Sequence, residues 1–257
     1  MIASQRCLYI MDQLTQKSVI DLKEIARALS ASESTVRRDI ERLEKQGKLK
    51  RVLGGAERID SANSGIDVAE LTMSARQKTN MRAAEKRAVA ERAVQFVHDG
   101  DFVFVDGGMS SVPVIKLLAR MDVHLVTNNQ LALQQLVNPA ATIISVGGKY
   151  LPHFNMTAGV LAEDFIDKFR FDHAFITCSS VNLEENMCYT SETETIGLKV
   201  AATRYADSSY LLIDSGKLQF KAFCKCMPLS DFKYVICDAP EAEYALPGNF
   251  VIADAKK

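Results

Sequence analysis

The 257-residue chain has little glycine and proline, 13 and 6 residues, which excludes collagen-like and wholly disordered chains. It also lacks long apolar runs: none reaches the roughly 18 residues that a bilayer-spanning helix needs. Met1–Ile10 has no charged start followed by a long apolar core and cleavage site, so a cytoplasmic protein with no membrane partner is expected. Histidine is scarce, and His98, His124, His153 and His173 show no metal-ligand spacing with the cysteines. The six cysteines (Cys7, Cys178, Cys188, Cys224, Cys226, Cys237) are scattered and mostly lie in apolar runs, the pattern of reduced, buried thiols rather than a disulfide framework. Cys224-Lys-Cys226 is the one tight pair; on a strand both side chains point the same way, but no metal is expected there. There is no Walker loop, no Rossmann G-x-G-x-x-G and no internal repeat, and no cofactor is expected.

What is present is an ordinary globular composition, 47% hydrophobic and 25% charged, long enough to bury a core in one or two domains. The net charge of −1 conceals a division. Residues 1–92 carry 18 Lys and Arg against 13 Asp and Glu, net +5, and residues 93–257 carry 13 against 19, net −6. A basic head precedes an acidic body.

The head shows three helical stripes. Leu8, Ile10, Met11 and Leu14 share one face of a helix that ends near Gln16-Lys17. Asp21-Leu-Lys-Glu24 starts a second, capping-box fashion, with Leu22, Ile25, Ala26 and Leu29 inward. Ser32 caps a third through Gln46, with Val36, Ile40 and Leu43 inward and Gly47 at its exit. Lys48–Leu53, Gly54-Gly55 and Ala56–Ile59 then read as a two-stranded hairpin, so the head has a winged helix-turn-helix pattern. The third helix of such a unit enters the DNA major groove. This makes Ser32, Ser34, Thr35, Arg37 and Arg38 candidate contacts there, with Lys48, Lys50 and Arg51 on the wing. The expected domains are the head at 1–60, a polar linker at 61–73 and a body at 74–257 that opens with a long helix over Ser74–His98.

From Asp101 onward, short β-branched runs alternate with helical segments: Phe102–Asp106, His124–Thr127, Thr142–Val146, His173–Thr177, Tyr210–Asp214 and Tyr234–Asp238. This predicts an α/β domain with a mainly parallel sheet covered on both faces. Polar or glycine-rich motifs follow several of these strands, where open α/β sheets bind ligands. They are Asp106-Gly107-Gly108-Met109-Ser110-Ser111, Thr127-Asn128, Gly147-Gly148 and Asp214-Ser-Gly-Lys217. The first suits a phosphate, through close backbone N–H groups, two hydroxyls and the start of the next helix, and Lys217 supplies a cation. Asp106 and Asp214 are candidates for sugar hydroxyls, and Glu192 and Glu194 for reaching the same pocket.

The run Leu22–Ala56, containing Ser34-Thr-Val-Arg-Arg-Asp39 and ending Leu53-Gly-Gly-Ala56, closely resembles the DNA-binding head of the DeoR family of bacterial transcriptional regulators. Leu53 stands where that family usually has histidine. The resemblance extends to about Asp238. It implies a sensor domain similar to ribose-phosphate isomerases and glucosamine-phosphate deaminases, in which sugar phosphates act as effectors. The expected protein is thus a transcriptional regulator, a repressor of sugar metabolism that partners double-stranded operator DNA, a phosphorylated sugar and further copies of itself. One rival is an isomerase or deaminase that kept its catalysis, with Asp106, Glu192 or Asp214 as base. Another is a DNA-binding protein whose body serves assembly alone.

Overall fold

The computed structural model describes residues 3–17, 19–29, 31–45, 49–52, 54–57, 82–219, 222, 224–240 and 244–253. The expected linker at 61–73, the first residues of the long helix expected from Ser74, Gly47, Lys48 and Leu53 lie outside them. The chain divides into two compact units, 1–73 and 74–257.

The first unit runs α1 (Ala3–Gln16), β1 (Val19–Asp21), α2 (Leu22–Ala28), α3 (Glu33–Lys45), β2 (Lys50–Val52) and β3 (Gly55–Glu57). Asp21 accepts hydrogen bonds from the Lys23 and Glu24 amides at 2.8 and 3.0 Å and so starts α2. Ser32 does the same for α3, accepting from the Thr35 amide at 3.2 Å. Ile10, Leu14, Leu22, Ile25, Ala26, Leu29, Val36, Ile40 and Leu43 meet in one buried cluster with Ile20, Leu49 and Ala56. Each large apolar side chain buried this way contributes about 1.5–3 kcal/mol.

The wing has one strand more than the expected hairpin. β1 pairs antiparallel with β3, Ile20 opposite Ala56, in the order β1-β3-β2. Three residues ending in a helix cap give no alternating pattern, so β1 is invisible in sequence. Its presence explains the glycine pair. Gly54 turns with φ +84°, and a Cβ on Gly55 would sit 1.9 Å from the Ile20 carbonyl oxygen.

The second unit runs α4 (Ala83–Ala93), β4 (Phe102–Val105), α5 (Val112–Leu118), β5 (His124–Thr127), α6 (Gln130–Leu133), β6 (Thr142–Ser145), β7 (Lys149–Leu151), β8 (Met156–Ala158) and α7 (Val160–Ile166). It continues with β9 (Phe171–Thr177), β10 (Ser180–Asn182), β11 (Met187–Thr190), α8 (Ile196–Arg204), β12 (Ala206–Ile213), β13 (Cys224–Pro228), β14 (Tyr234–Asp238) and β15 (Phe250–Ala253). The first helix is shorter than expected, tightening to a 3₁₀ turn at Val94–Phe96 and ending there. Chain reversal stops it: Gly100 adopts φ +91°, and Asp101 accepts from the His98 amide at 2.7 Å.

Seven strands form one all-parallel sheet in the order β15-β14-β12-β9-β4-β5-β6. All six expected strands are in it. Alternate residues supply two cores: Val103, Leu125 and Leu212 lie on one face with α4 and α5, and Phe104, Val126 and Leu211 on the other with α7 and α8. A hairpin, β7-β8, and a small antiparallel sheet, β10-β11-β13, were not legible, because their three to five residues form no continuous apolar run and their pairing is set by distant partners.

The chain order sets a switch point in the sheet. From β4 the chain steps outward to β5 and β6, then returns to the other side of β4 with β9 and steps the opposite way. Strand order therefore reverses between β4 and β9, and a crevice opens at the carboxyl ends of such a pair.

Candidate functional site

Asp106, the residue after β4, is wholly buried at that crevice. Its Oδ2 accepts from the Thr177 amide at 3.0 Å, from the Thr177 hydroxyl and from the Lys199 ammonium. Lys199, on α8, is buried too and also donates to the Thr177 carbonyl at 3.0 Å. Burial by itself raises the Asp106 carboxyl, but the Lys199 charge and the hydrogen bonds outweigh it and hold the group below the ordinary carboxylate range. Burial likewise lowers Lys199, and Asp106 more than offsets this. Both shifts favour the ionised pair.

The glycine-rich loop closes over this pair. A Cβ on Gly108 would lie 2.0 Å from the Thr177 hydroxyl oxygen, and one on Gly107 would lie 2.9 Å from the Met156 side chain and 3.0 Å from Asn128 Nδ2. The protein's own packing therefore already requires both glycines. Ser111 donates to the carbonyls of Asp106 and Gly108, so its hydroxyl holds the loop together. Met109 packs against the core. Ser110 faces Lys217, whose ammonium donates to it at 3.2 Å and to the Cys178 carbonyl at 2.6 Å. α5 is seven residues long and is separated from the glycines by the 3₁₀ turn Met109–Ser111, so its dipole adds little there.

The other strand-end motifs lie around this centre. Thr127 donates to the Val105 carbonyl at 2.6 Å, and Asn128 donates to the Thr157 carbonyl at 2.7 Å, tying β8 to the crevice. Asn129, not singled out in sequence, caps α6 and donates to the Gly108 carbonyl at 3.1 Å. Gly148 turns at φ +125° against Ala158 of the β7-β8 hairpin, while Gly147 stands in open space. Glu192 accepts from the Thr190 hydroxyl at 2.8 Å and lies within the field of Lys199. Glu194 instead pairs with Lys149 at 2.9 Å on the surface. Among the described residues, Asp106 Oδ1 and Asn128 Oδ1 are buried acceptors without a donor.

Asp214 belongs to a neighbouring cluster built on Arg82. The Arg82 guanidinium lies 3.3 Å from Asp214, and its Nη2 donates to Ser215 at 2.6 Å and Asp238 at 3.2 Å. Asp238 in turn accepts from the Ser215 amide at 2.6 Å. Arg82 precedes α4 with a left-handed φ of +51°, and it clamps the loop that carries Lys217. Neither Arg82 nor Lys199 was readable as a site residue, because Lys199 meets Asp106 across 93 positions of sequence and Arg82 meets Ser215 across 133.

On the head, Arg37 and Arg38 are exposed on α3, beside Ser34 and Ser32, whose hydroxyls lie 2.9 Å apart. Thr35 is half-buried, its hydroxyl 2.8 Å from that of Ser32. The aspartate that follows the arginines turns inward: Asp39 is buried and accepts from Arg6 Nε at 2.6 Å and Nη2 at 3.2 Å. Lys50 pairs with Glu57 at 2.8 Å, and Arg51 with Glu41 at 3.1 Å. These exposed pairs are worth about 0–1 kcal/mol, little enough for DNA phosphates to displace them.

A winged helix-turn-helix unit with an arginine-bearing third helix, on the same chain as a parallel α/β unit with a polar switch-point crevice, defines a one-component transcriptional regulator. Residues 6–62 match the DeoR-like helix-turn-helix domain and residues 81–239 the DeoR C-terminal sensor domain. The chain belongs to the DeoR family. Its relatives include the uncharacterized HTH-type transcriptional regulator YulB of Bacillus subtilis, 30% identical over 93% of this chain and 90% of the relative. The lactose phosphotransferase system repressor of Staphylococcus aureus (strain NCTC 8325 / PS 47) is 29% identical over 90% of each chain. Among solved structures, ribose 5-phosphate isomerase A from Methanocaldococcus jannaschii matches 52% of this chain and 53% of its own at 17% identity, TM-score 0.38. Among the described residues, no helix is long and apolar enough to cross a membrane.

Proposed function

We propose that the protein represses a carbohydrate-metabolism operon, and that a phosphorylated sugar bound in the β4/β9 crevice changes its grip on operator DNA. The observation that carries this reading is what meets at one end of the sheet: a cation, Lys217, against Ser110 of the glycine-rich loop, beside two buried acceptors, Asp106 Oδ1 and Asn128 Oδ1, that lack donors. Sugar hydroxyls are donors of the required kind, and the ammonium with the loop suits a phosphate. The relative named as a lactose phosphotransferase system repressor supports the same class of regulated gene. Met109 and Ser111 act in this reading by shaping the loop, Thr127 by fixing its floor, and Gly147 and Gly148 by turning the neighbouring hairpin.

The acceptors are closed off from solvent, so a ligand reaching them opens the crevice. Opening displaces the Lys217 loop, which Arg82, at the start of α4, holds through Ser215 and Asp214. An effector acts only through unequal affinity for two states, and open and closed crevices supply two. Of the three acids that a retained isomerase could use as base, Asp106 is engaged by Lys199 and Asp214 by Arg82, which favours binding without turnover. Glu192, bonded to the Thr190 hydroxyl, is left as the one for the turnover assay to test. Pairing of chains would join two heads and raise operator affinity through effective concentration.

The test is a thermal-shift panel of pentose and hexose monophosphates, with the free sugars and inorganic phosphate as controls. A ligand at about 100 times its dissociation constant stabilises by about 2.7 kcal/mol, an upward shift of a few degrees. A panel in which no phosphorylated sugar shifts the full chain sinks the proposal. Loss of substrate in the same mixtures would bring back the enzyme.

A further inference from the structure

Three of the six cysteines, which the regulatory reading leaves unused, converge at the edge of the crevice. Cys178 follows β9, Cys188 lies on β11 and Cys226 on β13. The backbone fixes the meeting. The Ser179 amide donates to the Tyr189 carbonyl at 2.8 Å, which brings the end of β9 against β11. In the β11-β13 ladder Cys188 pairs with Met227 and Tyr189 with Lys225, so Cys226 is the extra residue of a β-bulge. In a regular ladder, residues one step out of register face opposite sides of the sheet. The bulge removes that alternation, and both Cys226 and Cys178 are side-chain partners of the Cys188 thiol. Cys226 stands between the residues opposite Cys188 and Tyr189, and its thiol is within hydrogen-bonding reach of the Cys188 thiol. All three thiols are free, Cys188 is fully buried and Cys226 is partly exposed.

We infer that Cys226 and Cys188 form a peroxide-responsive pair, Cys226 as the attacking thiol and Cys188 as the one that resolves it into a disulfide across the bulge. The Cys226 thiolate attacks an oxygen of a hydroperoxide; an S–O bond forms, the O–O bond breaks, and the leaving oxygen departs protonated as alcohol or water. Cys188 then attacks the Cys226 sulfur; the S–S bond forms, the S–O bond breaks, and the hydroxyl leaves as water with the Cys188 proton. Two thiols lose two electrons and the peroxide gains them.

The environments assign the roles. The hydrogen bond from Cys188 and the nearby Lys199 charge outweigh burial and hold Cys226 below the ordinary thiol range. Its two sulfur neighbours and burial push Cys188 far above that range. Lys199 joins this chemistry to the effector loop, since the same ammonium holds Asp106. That last link rests on the proposed effector site, whereas the disulfide does not.

The test uses the reduced full chain and a few molar equivalents of hydrogen peroxide, with free thiols alkylated before mass analysis. The expected product has lost two alkylation sites, carries a peptide linkage between Cys188 and Cys226, and reverts with dithiothreitol. Cys226→Ser abolishes the linkage and Cys178→Ser keeps it. Cys188→Ser leaves a sulfenic acid at Cys226 that dimedone traps. No linkage in the parent protein, or a linkage between other cysteines, overturns the proposal without reliance on any variant. A sugar-phosphate thermal shift of equal size in oxidised and reduced protein overturns the link to the effector site.

Discussion

The Asp106–Lys199 pair is where the body of the protein is most exposed to a single substitution. Lys199→Met would leave a wholly buried carboxylate without its counter-charge, and such a break costs about 3–5 kcal/mol. Urea unfolding should show that loss for Lys199→Met and a smaller one for Asp106→Asn combined with Lys199→Met, because the double variant buries no charge. Equal losses would mean the pair is not ionised. Acid stability has a second source in His173, whose ring lies 3.2 Å from both Asp101 and the Tyr210 hydroxyl. Burial lowers its pKa, and attraction to Asp101 only partly offsets this. A histidine depressed in the folded state contributes stability above its unfolded pKa of about 6.5 and loses it as pH falls through the folded value. The melting temperature should therefore drop on acidification below about pH 6.5, and His173→Asn should flatten that drop. At this scale the sequence disclosed what is local. Asp21 and Ser32 were readable as caps because their partners lie two or three residues away. Lys199, Thr177, Arg6 and Arg82 were not, because parallel-strand and helix packing alone brings them to Asp106, Asp39 and Asp214.

Among the elements, the recognition helix and the glycine turns make the sharpest claims. Arg37 and Arg38 point outward while Asp39 is held inward by Arg6, so the Arg-Arg-Asp run divides into two solvent-facing residues and one structural one. Arg37→Ala and Arg38→Ala should each cost about 1–3 kcal/mol of operator affinity with the fold unchanged, whereas Asp39→Ala should lower the melting temperature as well. Anisotropy titrations set beside melting curves separate the two effects; unaltered operator binding by both arginine variants would remove α3 from the groove. Gly55→Ala brings a Cβ to 1.9 Å from the Ile20 carbonyl oxygen and should unpair β1 from β3. Amide exchange of the Ala56 region should then quicken. The six sheet strands and three head helices were legible because continuous-apolar and 3.6-residue patterns declare themselves within a few residues or turns of chain. β1, the β7-β8 hairpin and the β10-β11-β13 sheet were hidden for the opposite reason. Strands of three to five residues without a continuous apolar run are set by their partners, and each lends only one or two side chains, such as Ile20, Val181, Cys188 and Met227, to a core.

For the molecule as a whole, the division into basic head and acidic body was present in the charge count, and the order of strands was not. Reversal of strand order between β4 and β9 follows from where β9 docks, which no local pattern records, yet it is what gathers Asp106, Thr177, Ser110 and Lys217 at one place. The central claim is that this place senses a phosphorylated sugar and passes the result to the head. Its most direct test takes operator DNA selected from a random pool by the full chain. Anisotropy is then followed as the sugar monophosphate giving the largest thermal shift is titrated into parent and Lys217→Ala proteins. Lys217→Ala removes a charge-assisted hydrogen bond of about 1.5–3 kcal/mol, so it should bind operator like the parent yet need about 10–150 times more effector to respond. A Lys217→Ala protein that responds at the parent's effector concentration would contradict the account.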